Sequence, residues 1–108
     1  AGAALAPATR ARYLDLITGV GEAHARAELT GRQAHQRLSS LVRAFVHESS
    51  GYPASAMTLA ELRRLNLPGL TAAVERFYPE EFGTDGGTTV AASVQSAQAV
   101  VADWGRLP

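Results

Sequence analysis

Between Thr30 and Pro53 the chain reads TGRQAHQRLSSLVRAFVHESSGYP, and this stretch constrains the fold more than any other. Ala34, Leu38, Leu41, Val42, Phe45 and Val46 recur three and four residues apart, which stacks them on one stripe of an α-helix. At about 100° per residue, Arg32, Gln36, Arg43 and His47 fall on the opposite side. Thr30 and Gln33 have the spacing of a capping box, in which the threonine oxygen takes a first-turn N–H and the glutamine reaches back to the cap. Gly51 followed by Pro53 gives the usual stop order. A helix with one apolar stripe is stable only when other elements cover that stripe, so the neighbouring segments have to supply a matching surface.

They do so as further helices. Upstream, Tyr13, Leu16, Ile17, Val20, Ala23 and Ala27 predict a buried face on a helix beginning near Thr9. Glu22 and Arg26 form an i,i+4 pair on that helix in the favourable order. Gly19 and Gly21 each weaken it by about 1 kcal/mol relative to alanine, and they mark either close packing or a kink. Leu29-Thr30-Gly31 is the first break. Downstream, Ala54 to Met57 reads as a helical turn or a loop. Thr58 and Glu61 form a second capping box, opening a short helix to Leu65 with Leu59, Leu62 and Leu65 inward. Asn66 can close that helix in a left-handed conformation, and Pro68 suits the first turn of the next. Leu70, Val74, Phe77 and Tyr78 give the next helix its apolar face; Pro79 ends or tightens it, and one more turn over Glu80-Glu81-Phe82 returns Phe82 to the core. Gly83 to Thr89 reads as a flexible glycine-rich loop. A last helix follows from Thr88 or Thr89, with Val90, Val94, Ala97, Val101 and Trp104 on one side, and Gly105 to Pro108 end it. No alternating strand pattern competes. The expectation is an all-α fold: a single four- or five-helix bundle over residues 1–108, with residues 1–8 a frayed lead-in.

A chain of 108 residues suffices for one domain. It contains no cysteine, which excludes disulfides, thiolate metal sites and cysteine nucleophiles. Ten basic residues, all arginine, balance ten acidic ones. Spread along a neutral chain, they lack the concentrated positive field of nonspecific nucleic-acid binding. No apolar run approaches the roughly 20 residues of a membrane span. The chain opens AGAALAP, without methionine, and is read as a fragment of a longer protein in which a membrane anchor has a place.

Candidate chemistry is thin. His35 and His47 lie twelve residues apart, about 120° of rotation, and cannot share a ligand set on one helix face. With His24 they are expected at surface or boundary positions, and no metal or cofactor is called for. Glu80-Glu81 reads as a solvated turn beside Pro79, and Asp85-Gly86-Gly87 lacks the lysine and hydroxyl ending of a phosphate-binding loop. Ser39-Ser40 and Ser49-Ser50 have no nucleophile elbow, so no catalytic residue is assigned. The helices Thr58–Leu65 and Leu67–Tyr78 also fit a helix-turn-helix. Its second helix would present Thr71, Glu75 and Arg76, one of them acidic, with Arg63-Arg64 left for phosphate. The remaining class is protein interaction, with Arg32, Gln36, Arg43 and His47 as the candidate surface, since arginine suits interfaces through its planar fork.

The residues RLSSLVRAFVHESSGYPASAMTLAELRRLNLPGLTAAVERFYPEEF add a resemblance. The stretch Phe45-Val46-His47-Glu48, the turn with Gly51 and Ala54, the capped start Met57-Thr58-Leu59-Ala60-Glu61-Leu62 and the ending Tyr78-Pro79-Glu80-Glu81-Phe82 carry it. Over about Leu29 to Phe82 the chain resembles the soluble segment of actinobacterial membrane-anchored proteins encoded beside MoxR-type AAA+ ATPases and von Willebrand factor A-domain proteins. The resemblance implies a membrane-tethered parent, a soluble domain with the cytoplasmic side favoured, and a MoxR-type ATPase or a von Willebrand factor A-domain protein as partner. It implies no active site.

Overall fold

The long second helix is the element every larger helix leans on. In the computed structural model, which describes residues 6–65, 70–81 and 89–104, the helices are α1 (Pro7–Ala25), α2 (Gly31–Ser50), α3 (Leu59–Arg64), α4 (Leu70–Glu81) and α5 (Val90–Asp103). A single 3-10 turn, Ala54–Ala56, lies between α2 and α3. α2 packs on α1, α4, α5 and the 3-10 turn; α5 also packs on α1 and α4, and α3 packs on α4. The fold is all-α, with no strand among the described residues.

Local chemistry sets most boundaries. The Thr30 hydroxyl accepts the Gln33 N–H at 3.1 Å while the Gln33 side chain accepts the Thr30 N–H at 2.9 Å. The same reciprocal pair joins Thr58 and Glu61 at 3.1 and 2.8 Å, and Thr89 caps α5 through the Ala92 N–H. Each such cap offsets the otherwise unpaired N–H groups of a first turn and stabilises by about 1 kcal/mol. Gly51 ends α2 at φ 82°, the left-handed conformation glycine adopts without a Cβ clash. Pro7 opens α1 two residues before the expected start, and a proline there gives up only an N–H that has no helical partner.

α1 departs from expectation at its C-terminus. It stops at Ala25, and Ala27 adopts φ 61°. The Glu28 N–H bonds the Ala23 carbonyl and the Ala27 N–H bonds the His24 carbonyl, both at 2.9 Å. Those two bonds make a Schellman motif with alanine where glycine is usual, so Ala27 is exposed in the turn rather than part of the buried face. Because the helix ends there, Arg26 bonds Glu28 at 2.9 Å instead of pairing back to Glu22.

The core is centred on Phe45, fully buried between Tyr13 and Trp104 in two edge-to-face contacts with centroids 5.4 and 5.7 Å apart. Leu38, Val42 and Val46 continue it along α2, joined by Ile17 and Val20 from α1, Leu62 from α3, and Leu70, Val74 and Phe77 from α4. From α5 come Val90, Ala97 and Val101 as expected, together with Val100 and Ser93. Val94 and Trp104 pack at the core's margin, as do Leu59 and Leu65. Leu41, expected in the α2 stripe, also lies at that margin. α4 runs two residues past Pro79, so of the two roles expected of Pro79 it does not end the helix, and Glu80 and Glu81 extend the last turn; a proline near a helix end forfeits one backbone bond without breaking the preceding turns. The roles expected of the Tyr78 side chain, Asn66, Pro68, Phe82, Gly83 to Thr88 and Gly105 to Pro108 fall outside the described residues, as do residues 1–5 of the frayed lead-in expected over 1–8, which is instead helical from Pro7.

Three arginines fix how the helices sit. The Arg10 guanidinium donates to the carbonyls of Val101, Ala102 and Trp104, satisfying unpaired acceptors at the end of α5. Arg12 bonds both Glu48 carboxylate oxygens at 2.8 and 2.7 Å, and the Tyr13 hydroxyl donates to the same carboxylate at 2.8 Å. Burial, then that hydrogen bond, raise the Tyr13 pKa; the hydrogen bond from Tyr13, aided by Arg12, holds the Glu48 carboxyl below the ordinary range. Arg43 turns inward, toward the 3-10 turn.

Candidate functional site

The four residues expected to form one solvated face on α2 do not share a role. Gln36 and His47 are exposed, as is Arg32, which interacts within the molecule. Arg43 is half-buried: its guanidinium donates to the carbonyls of Ala54 and Met57, and its Nε to the Ser39 hydroxyl at 3.3 Å. The Ala54 carbonyl already takes the Met57 N–H, and the long planar fork of Arg43 reaches it and the Met57 carbonyl at once. Arg43 therefore anchors the turn to α2 and drops out of the candidate interaction surface.

The histidines likewise separate. His47 is exposed. His24 is half-buried, with Nδ1 3.0 Å from the Leu29 carbonyl across the α1–α2 connection. His35, expected at a surface or boundary position, is only 1% exposed. Its Nδ1 lies 2.8 Å from the Gly31 carbonyl and its Nε2 2.7 Å from the Ser93 hydroxyl, which is fully buried on α5. A carbonyl can only accept, so in the neutral ring Nδ1 carries the proton and Nε2 accepts from Ser93. The pair has the spacing of a serine–histidine nucleophile, yet both groups are sealed from solvent and the bond works as a polar pin between α2 and α5. The sequence held the signal: His35 lies about 20° from Val42 on one side and from Val46 on the other around the helix, inside the buried arc. Among the described residues no three His, Asp or Glu side chains are placed to hold a metal ion.

The helix-turn-helix geometry meets a similar difficulty. Arg63 on α3 pairs with Glu75 on α4 at 2.9 Å, so one of its two candidate phosphate contacts is already neutralised by the neighbouring helix.

A groove of about 730 Å³ lies open between α1 and α2. Leu16, Gly19, Val20 and Ala23 form the α1 wall, with Leu29 from the connection. Leu41, Gln33, Gln36, Arg37 and Ser40 form the α2 wall. Leu16, Val20 and Ala23 of that wall belong to the stripe expected to be buried. Tyr13, Ile17 and Val20 meet the core, whereas Leu16 is 47% exposed. α1 packs on α2 and α5, and a stripe wider than those two contacts leaves its flank to solvent. Gly19 sits in that flank, and a Cβ added there meets no atom within 4 Å; at Gly21 the same Cβ comes within 3.2 Å of Val94 Cγ2. Gly21 thus permits the close approach of α1 to α5, and Gly19 keeps part of the groove wall low. Sequence periodicity marks Leu16 and Ala23 as apolar positions, but which apolar positions remain uncovered depends on helix number and placement.

No helix among the described residues is long and apolar enough to cross a membrane. No protein-family model, curated protein or solved structure matches the chain.

Proposed function

We propose that the chain is a non-enzymatic helical interaction domain whose docking face is the α1–α2 groove. One observation carries this: a half-exposed leucine, Leu16, set in a concave site with a mostly apolar wall on α1 and a polar wall on α2. A leucine alone on a surface is ordinary, but Leu16 stands beside Val20, Ala23, Leu29 and Leu41 in one concavity, and an apolar surface with a polar rim is the usual form of a protein-binding patch. The resemblance over Leu29 to Phe82 adds the context of a membrane-tethered accessory protein, its domain on the cytoplasmic side, serving a MoxR-type ATPase or a von Willebrand factor A-domain protein.

Site-specific photo-crosslinking in cells tests both parts. A benzophenone side chain at Leu16 should yield a discrete protein adduct that the same group at Gln95, exposed on α5, does not. Equal adducts from both positions, or none from Leu16, refute the docking face. Identification of the adduct as neither of the two named partner types refutes the context and leaves the docking face standing.

A further inference from the structure

We infer that the occupant of the groove is an amphipathic α-helix of another protein that carries carboxylates along the edge facing α2. This rests on the docking reading above and specifies its chemistry. The α2 wall has a surplus of donors. From Gly31 to His47 the chain contains no aspartate or glutamate, and no acidic residue lines the groove. Arg12, Arg26 and Arg63 each pair with a glutamate, while Arg43 holds backbone carbonyls. Arg37, in the groove wall, has no ion pair or hydrogen bond among the described residues. The Gln33 side-chain oxygen is engaged by the Thr30 N–H, leaving its amide N–H groups to meet an acceptor.

An occupant that matches both walls is apolar on its α1 side and acidic on its α2 side. Two helical walls with a low point at Gly19 accept the side-chain ridge of a third helix, the helix-in-groove mode of recognition. A bound strand would need a sheet edge to pair with, and the described residues contain none.

The test uses the full chain and a synthetic helical peptide of about four turns, long enough to hold helix once docked. It has leucines at i, i+3, i+4 and i+7 and glutamates along one flank. Its twin has arginines in place of the glutamates. The acidic peptide should shift the backbone amide resonances of Leu16, Gly19, Gln36 and Arg37. Arg37→Glu, an exposed change that leaves the core intact, should weaken it about tenfold, as loss of one charge pair plus a new repulsion implies, and should bind the arginine twin instead. Gly19→Ala should weaken the acidic peptide without unfolding the domain. Groove shifts caused equally by the arginine twin, or by a fatty acid but not by the acidic peptide, overturn the acidic-helix inference while keeping the docking face. Concentration-dependent shifts of the same amides without peptide assign the groove to a second copy and overturn it too. No groove shift with any probe overturns it, and failure of the Leu16 crosslink as well removes the docking reading.

Discussion

Gly19→Ala should stabilise this protein and Gly21→Ala should not, although the two positions are two residues apart on α1. Alanine is favoured over glycine in a helix interior by about 0.8–1.0 kcal/mol, largely because glycine loses more backbone freedom on folding. At Gly19 the new methyl meets no atom within 4 Å, so the full gain should appear. For a domain near this size, about 1 kcal/mol raises Tm by roughly 4–8 °C. At Gly21 the methyl lands 3.2 Å from Val94 Cγ2 and 3.8 Å from Cγ1. Val94 sits within α5, where a β-branched side chain has essentially one χ1 rotamer. Relief therefore has to come from separating α1 and α5, and overpacking of this kind costs about 1–3 kcal/mol. The propensity gain is the same at both sites and cancels in the comparison, leaving Gly21→Ala at least about 1 kcal/mol below Gly19→Ala. Urea unfolding followed by far-ultraviolet circular dichroism, with equal m-values, measures the difference. Equal stabilisation by both changes, or destabilisation by Gly19→Ala, would refute the assignment of Gly21 to the helix contact and Gly19 to the open wall.

Ser93→Ala strands a buried acceptor on His35 and should cost about 1–3 kcal/mol; His35→Phe combined with Ser93→Ala should cost less than the sum of the single changes, and strict additivity in urea melts would count against the pin. Ala27→Gly removes the clash that a Cβ meets at φ 61° and should raise stability by about 0.5–1 kcal/mol; a lower Tm would contradict the Schellman ending of α1. Because the Glu48 pKa is depressed in the fold, its contribution is complete above the unfolded carboxylate value of about 4.3 and is lost as pH falls through the lower folded value. Glu48→Gln should thus be less stable at neutral pH and lose less Tm between neutral and acidic buffer, whereas Tm curves that stay parallel throughout would remove Glu48 from the acid response.

The ends and buried stripe of α2 and the start of α3 are legible in local terms. The capping pairs Thr30–Gln33 and Thr58–Glu61, the Gly51 stop and the α2 stripe are set by residues within four positions of one another. The ending of α1 carries no sequence signature because its left-handed residue is alanine rather than glycine. Polar residues with two available roles are ambiguous in sequence for a different reason. Arg43 and His35 can each face water or satisfy buried acceptors, and the choice depends on whether the 3-10 turn and α5 arrive alongside.

The sequence by itself therefore determined an all-helical chain built around one amphipathic helix, because helix formation and capping are governed by neighbours along the chain. The tertiary structure decided which apolar residues are covered, since coverage depends on where distant helices land. It took Ile17 into the core, left Leu16 half-exposed one residue away, and so created the groove on which the functional reading rests.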